Sequence, residues 1–233
     1  MLKKPAFIAI ITSNTLATYL IKDPETRPDG LIVELPTAGG HNASPRGVLK
    51  LDELGQPIYG DRDHPNFEQM TNAGLPYWIA GSWGKPEMLK KARELGARGV
   101  QVGTAFAFSD ESGFSKEVKQ QVFKQVENGG VKVFTDPVAS PSGFPFKVVE
   151  LDGTASVEEV YLKRKRLCDL SYLRSCYRKE DGSVGYRCSA EPLSTFLRKG
   201  GTTEQTEGKK CLCNHLMSNI GLGQLRNGTP EST

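Results

Sequence analysis

At 233 residues, with 37% apolar and 24% charged side chains, the chain can bury one or two real cores, which excludes wholesale disorder. A formal net charge of +3 is too small to advertise a nucleic-acid partner. The apolar stretch Ala6 to Ile11 is far short of the ~20 residues a membrane span needs, and no cleavage-site pattern precedes it, so a soluble cytoplasmic protein with no membrane partner is expected.

In chain order, Ala6 to Thr12 reads as a strand, Asn14 to Ile21 as a short helix and Leu31 to Leu35 as a second strand. A long polar loop comes next, from Gly39 to about Asn66. Tyr77 to Ala80 is the third strand. Pro86 to Leu95 is the clearest helix: proline suits the first turn, Met88, Leu89, Ala92 and Leu95 form an apolar stripe, and Gly96 ends it. Gly99 to Val102 is the fourth strand. A helix then runs from an N-cap at Ser115 through Val118, Val122, Phe123 and Val126 to Asn128.

The strands are near-continuous apolar runs without polar alternation, as expected of parallel strands covered on both faces. Strand alternating with helix predicts an α/β fold built of βα units. Four such units cannot close an eight-stranded barrel. Beyond Gly130 the alternation stops, and residues 151–233 carry all five cysteines, so a boundary is expected near residue 150 with an irregular extension after it. The basic cluster Lys163 to Arg166 reads as a solvated face.

Three strand ends carry candidate chemistry. Ile79-Ala80-Gly81-Ser82-Trp83-Gly84 leaves a strand through small residues toward the helix at Pro86, where backbone N–H groups can approach a phosphate; glycine at a strand end is also commonly just a turn. Val100-Gln101-Val102-Gly103-Thr104 repeats the feature, and two consecutive βα loops of this kind are where barrels hold phosphate. Glu34-Leu35-Pro36-Thr37-Ala38-Gly39-Gly40-His41 places an imidazole just past a strand end, where a base could work, although a loop histidine is more often structural or idle. His64, in an acidic loop, is left unassigned.

Together, Gly30 to Glu34, Ala38-Gly39-Gly40-His41, Trp78 to Ser82 and Gly99 to Phe106 resemble nitronate monooxygenases, formerly 2-nitropropane dioxygenases, in order and spacing; Asp110-Glu111-Ser112 adds to the likeness. Relatives sharing the pattern include a flavin-dependent enoyl-acyl-carrier-protein reductase and an NADH:quinone reductase. The resemblance covers roughly residues 5–135 and implies strands five to eight of a (β/α)8 TIM-barrel type fold that holds FMN. It implies Ala80, Gly81, Ser82, Gly103 and Thr104 near the phosphate, Gln101 at the flavin edge, Gly39 and Gly40 beside the ring, and His41 at the reacting face. Where the family commonly has two glycines after the seventh strand, this chain has Gly81-Ser82.

The resemblance further implies an FMN-dependent oxidoreductase that acts on a small-molecule substrate, most simply oxidising alkyl nitronates with dioxygen. The alternatives are an enoyl-thioester or NAD(P)H:quinone reductase, or a noncatalytic fragment needing a partner chain. Because the opening strands of the barrel have no counterpart, a fragment or split protein completed by a missing N-terminal half-barrel or a partner chain is expected. In the extension, Cys168, Cys188, Cys211 and Cys213 are enough thiolates for zinc or an iron–sulfur cluster, with His215 a substitute ligand. Their spacing matches no common knuckle, and small buried hydrophobes are the bland reading.

Overall fold

The structure, a computed structural model, describes residues 4–231. The chain divides into two compact units, one of the residues up to Leu51 with Ile58–Phe106, the other of Asp52–Pro57 with the residues from Ala107 on.

The first unit alternates strand and helix: β1 (Ile8–Ile11), α1 (Asn14–Lys22), β2 (Gly30–Glu34), α2 (Phe67–Asn72), β3 (Tyr77–Ala80), α3 (Pro86–Glu94), β4 (Gly99–Gln101) and the short α4 (Thr104–Ala107) at its end. Every sheet pairing is parallel and the order is β1-β2-β3-β4. Strand order that matches chain order, with right-handed crossovers, lays successive helices on one face and curls the sheet as in a (β/α)8 barrel; a doubly wound sheet would reverse direction at a switch point.

Local sequence sets the element ends. Ser13 caps α1 by accepting from the Leu16 N–H at 3.1 Å, and Pro86 opens α3. Helix α2 is not expected from sequence periodicity; its cap, Asn66, accepts from the Gln69 N–H at 2.9 Å, and Met70 is fully buried. Gly96 comes after α3 at φ +90, where a Cβ would stand 2.4 Å from Thr71 Oγ1, so only glycine closes this turn.

The core lies on one face of the sheet. Ile11, Leu31, Val33, Tyr77 and Ile79 are buried against Ala17, Met70 and Ala92 from the three helices. Each large aliphatic side chain so buried contributes roughly 1.5–3 kcal/mol. The other face corrects the expectation of strands covered on both sides: Ile8 and Ile10, alternating with buried Ala9 and Ile11, are 40% and 56% exposed. Helices α1, α2 and α3 pack on the opposite side. Trp78 provides partial cover there, its ring lying against Gly30 and Gly99 on the neighbouring strands, where Cβ atoms would meet it at 3.0 and 3.2 Å. In α3 the stripe is narrower than expected, with Ala92 buried and Leu89 43% exposed.

The second unit holds α5 (Lys116–Glu127), an antiparallel hairpin of β5 (Val133–Asp136) and β6 (Phe146–Val149), α6 (Glu158–Lys163), a second hairpin of β7 (Ser175–Arg178) and β8 (Val184–Arg187), then α7 (Leu193–Arg198), α8 (Leu212–Asn219) and the short pair β9 (Leu225–Arg226) and β10 (Thr229–Pro230). The compact units part after Phe106. The reason is α5: its Val118 and Val122 pack with Leu151, Phe108, Phe114 and Val149, tying it to the second unit. Its buried Lys119 donates to the carbonyls of Ser109, Asp110 and Ser112 at 2.7, 3.2 and 3.1 Å, which shapes that loop.

The basic cluster is not simply a solvated face. Arg164 forms a buried, two-pronged pair with Glu231 at 2.6 and 3.0 Å, its guanidinium fork matching the carboxylate, while Arg166 donates to the Thr206 carbonyl.

One-sided burial makes the two faces of the sheet unequal in energy. Ile79→Ala is expected to cost about 2–5 kcal/mol and Ile10→Ala less than about 1 kcal/mol in urea unfolding of the chain. Equal costs would show that both faces are packed.

Candidate active site at the strand ends

The sheet register places Glu34, Ala80 and Gln101 side by side at the carboxyl ends of β2, β3 and β4. The loops bearing the candidate residues therefore leave from one end of the sheet, the end that carries active sites in parallel α/β folds.

The loop after β2 is anchored on both sides of its glycines. The Leu35 N–H donates to the Ala80 carbonyl at 3.0 Å, Ala38 N–H to the Leu35 carbonyl at 2.9 Å, and Asn42 Nδ2 to the Ala38 carbonyl at 3.0 Å. Ala38 and Asn42 are buried, whereas Gly39 and Gly40 lie between them with no protein atom within 4 Å of a would-be Cβ. His41 is next, half-buried, and desolvation holds its pKa below the ordinary imidazole value, so the ring is neutral at pH 7 and able to accept a proton. Beside it, Asn42 Oδ1 is buried with no hydrogen-bond partner among the described residues.

The loop after β3 comes close to this one. Thr37 Oγ1 donates to the Gly81 carbonyl at 3.0 Å, and a Cβ on Gly81 would stand 2.8 Å from Ala38 N and from Thr37 Oγ1. Gly81 and Ser82 are both left-handed, at φ +106 and +60. For serine this is uncommon, and such backbone strain gathers at functional sites. Trp83 then turns inward, buried edge-on against Phe67.

Gln101, the last residue of β4, is exposed, and Gly103 has open space around its missing Cβ before Thr104 begins α4. The structure thus brings His41, Gly39, Gly40, Gly81, Ser82, Gln101, Gly103 and Thr104 to one end of the sheet. Ala80 is buried, contributing its carbonyl to the Leu35 bond.

Two residues of this end do not stand out in the sequence. Glu34, half-buried with its pKa raised by desolvation, lines a cavity of about 40 Å³ with Thr12, Pro36, Ser44, Arg46 and Tyr59. Arg46 shapes that cavity by donating to the carbonyls of Thr12 and Arg62, and its own N–H bonds Asp63 at 2.8 Å. The position of Glu34 as the last residue of a strand is the one signal that could have found it.

The fit to FMN is one-sided. Open backbone at Gly103 suits a phosphate, and the open backbone at Gly39 and Gly40 leaves room for a ring. The cavity itself is well below the roughly 300–1,000 Å³ of cofactor clefts, so a flavin needs walls beyond those described.

No family model matches the chain. It is similar to a probable nitronate monooxygenase of Staphylococcus haemolyticus (strain JCSC1435). The two are 30% identical over 125 residues, which is 53% of this chain. The chain spans about a third, 34%, of that relative's length. Solved structures of FabK from Thermotoga maritima, as a mutant and unmutated, share 22% identity at a TM-score of 0.40, covering 61% of this chain and 39% and 38% of theirs.

In the second unit the four candidate cysteines come together. Cys188 and Cys211 are buried in one cluster with Ala190, and Cys168 and Cys213 pack against it. Burial pushes the Cys188 thiol up to about 11, with the neighbouring cysteines adding to it, and raises Cys213 as well. Cys176 is exposed on β7, outside the cluster. His215 is turned edge-on to Tyr161 at 5.7 Å between ring centres. Among the described residues, no three His, Cys, Asp or Glu side chains stand at metal-holding distances, and no helix is long and apolar enough to cross a membrane.

The approach of the two loops at Gly81 is a stability constraint. Gly81→Ala is expected to lose about 1–3 kcal/mol through clash and left-handed strain, while Gly103→Ala, with φ outside the left-handed region and open space around it, changes thermal stability little. A neutral Gly81→Ala would show that the two loops do not press on each other.

Proposed function

We propose that the chain contributes the phosphate and base side of an FMN-dependent oxidoreductase that oxidises alkyl nitronates with dioxygen. The observation carrying this reading is that the in-register ends of β2, β3 and β4 put a neutral imidazole on a glycine-opened loop beside a strained Gly81-Ser82 turn. The name of the staphylococcal relative supports the same class.

In this reading, backbone N–H groups of Gly81, Ser82, Gly103 and Thr104, with the hydroxyls of Ser82 and Thr104, receive the phosphate, and Gln101 meets the flavin edge. When bound, FMN supplies the redox chemistry, taking electrons from substrate and passing them to dioxygen. His41 accepts the proton from the carbon next to the nitro group, or donates a hydrogen bond to the nitro oxygens when the substrate is already a nitronate. The glycines before it leave room for that substrate.

The remaining walls come, in this proposal, from strands paired to the open edges β1 and β4, supplied by a missing half-barrel or a partner chain. Reconstitution with the complementary half of a relative should yield a yellow protein. Flavin bleached anaerobically by a nitronate and not by NADH supports the oxidase reading; bleaching by NADH instead would assign a reductase.

In such a complete barrel, Gly103→Val is expected to abolish FMN retention, because the branched side chain fills the space the phosphate needs. His41→Ala should keep FMN but lower turnover of a neutral nitroalkane by about 10²–10⁴-fold, with a preformed nitronate suffering less. Since burial lowers the His41 pKa, wild-type kcat/KM for the nitroalkane should stay high as pH falls and drop only below the ordinary histidine value of about 6.5. An acid limb above that value, absent from His41→Ala, would contradict the assigned environment.

A further inference from the structure

We propose that Cys168, Cys188, Cys211 and Cys213 are the ligands of a tetrathiolate site for a soft divalent metal ion, with zinc the natural occupant. Four of the five cysteines, brought from three separate segments, line one small cavity of about 10 Å³. That is about one water-sized sphere, right for an ion and too small for an organic ligand. Leu170, Leu173, Ala190 and Leu212 supply apolar wall, and no carboxylate or imidazole lines the space. Ser171, Asn214 and Arg174 are the polar side chains that also line it, and with sulfur as the main donor the site favours zinc and similarly soft ions over magnesium or calcium.

The surroundings of the sulfurs are a second, independent observation. Asn214 Nδ2 donates to Cys211 Sγ at 3.4 Å, and is itself held by Asp169 at 2.9 Å. A buried thiol acting as a small hydrophobe needs no donors and accepts hydrogen bonds weakly. A metal-bound thiolate takes such donors readily, and outer-shell hydrogen bonds of this kind orient metal ligands. Arg174, also at the cavity, offsets part of the charge that four thiolates bring.

The sulfurs do not stand at ligand distances, so uptake requires them to swing inward. In this proposal the thiols turn toward the cavity as the ion enters, and the Cys211 thiol gives up its bond to the Leu167 carbonyl at 3.7 Å. Each thiol loses its proton to solvent as its metal–sulfur bond forms, so no oxidant or reductant is involved.

The test uses the full chain, reduced and freed of metal with a chelator. Titration with cobalt(II) should saturate at one equivalent, with the intense visible bands of tetrahedral cobalt–sulfur coordination, and zinc should displace it. Zinc should protect Cys168, Cys188, Cys211 and Cys213 from alkylation, as read by peptide mass spectrometry, and leave exposed Cys176 reactive. Cys176→Ser should bind as wild type, and Cys213→Ala, checked for folding by circular dichroism, should lose the spectrum. The alkylation experiment needs no substitution, so a variant that fails to fold does not blunt the test. Folded, reduced protein with no cobalt bands and no zinc protection overturns the proposal. So does a cobalt spectrum that survives Cys213→Ala, or disulfides among these four cysteines in freshly purified protein together with no metal uptake after reduction.

Discussion

Parallel pairing in a single register governs the first unit. Ile11, Val33, Ile79 and Val100 form one row across the four strands, and Glu34, Ala80 and Gln101 form the next beyond it. Because side chains alternate along a strand, slipping one strand by a residue would turn Ile79 out of the core and move its glycine turn away from the neighbouring loop. The packing that buries Ile79 is thus the same constraint that brings the Gly81 turn against Thr37 and Ala38. Core and candidate site are two consequences of one alignment.

The same sheet explains why the candidate site is open. Helices cover the face bearing Ala9, Leu31 and Tyr77, while Ile8 and Ile10 on the other face meet solvent. Within the described residues, β1 and β4 each pair on one side only. In a closed barrel the inner face is filled by side chains of the remaining strands and there is no free edge. Exposed isoleucines on this face, a small cavity at its end and a match to a third of a longer relative all fit a proposal in which further strands complete the enclosure.

The second unit relies more on directed polar contacts. Arg164 binds Glu231, Glu231 binds Arg226, Arg226 binds Asp169, Asp169 holds Asn214, and Asn214 reaches Cys211. The hydrogen bonds from Arg226 and Asn214 outweigh the desolvation of Asp169 and keep its carboxyl ionised, down to about 2. Removing Glu231 would leave the buried Arg164 guanidinium without its counter-charge, a loss of about 3–5 kcal/mol in comparable pairs. This chain of contacts fixes the start of α8, and with it the two cysteines that open the helix.

How much of the fold and site is legible in the sequence depends on the range of each interaction. Apolar runs at Leu31–Val33 and Tyr77–Ala80, the proline before Met88 and the glycine at 96 are local signals, and the strands and helices they announce lie within two residues of their observed ends. The order of small residues at Gly39-Gly40-His41, Gly81-Ser82 and Gly103-Thr104 is equally readable, since backbone access needs glycine wherever it occurs. Helix α2 escapes notice because six residues carry too little periodicity, and its stability comes from Met70 in the core. Only the tertiary structure decided that the sheet is covered on one face, that α5 belongs with the later residues, that Glu34 lines a cavity, and that cysteines without a recognisable spacing meet around one point. Those outcomes depend on contacts between residues far apart in the chain, which composition and periodicity do not encode.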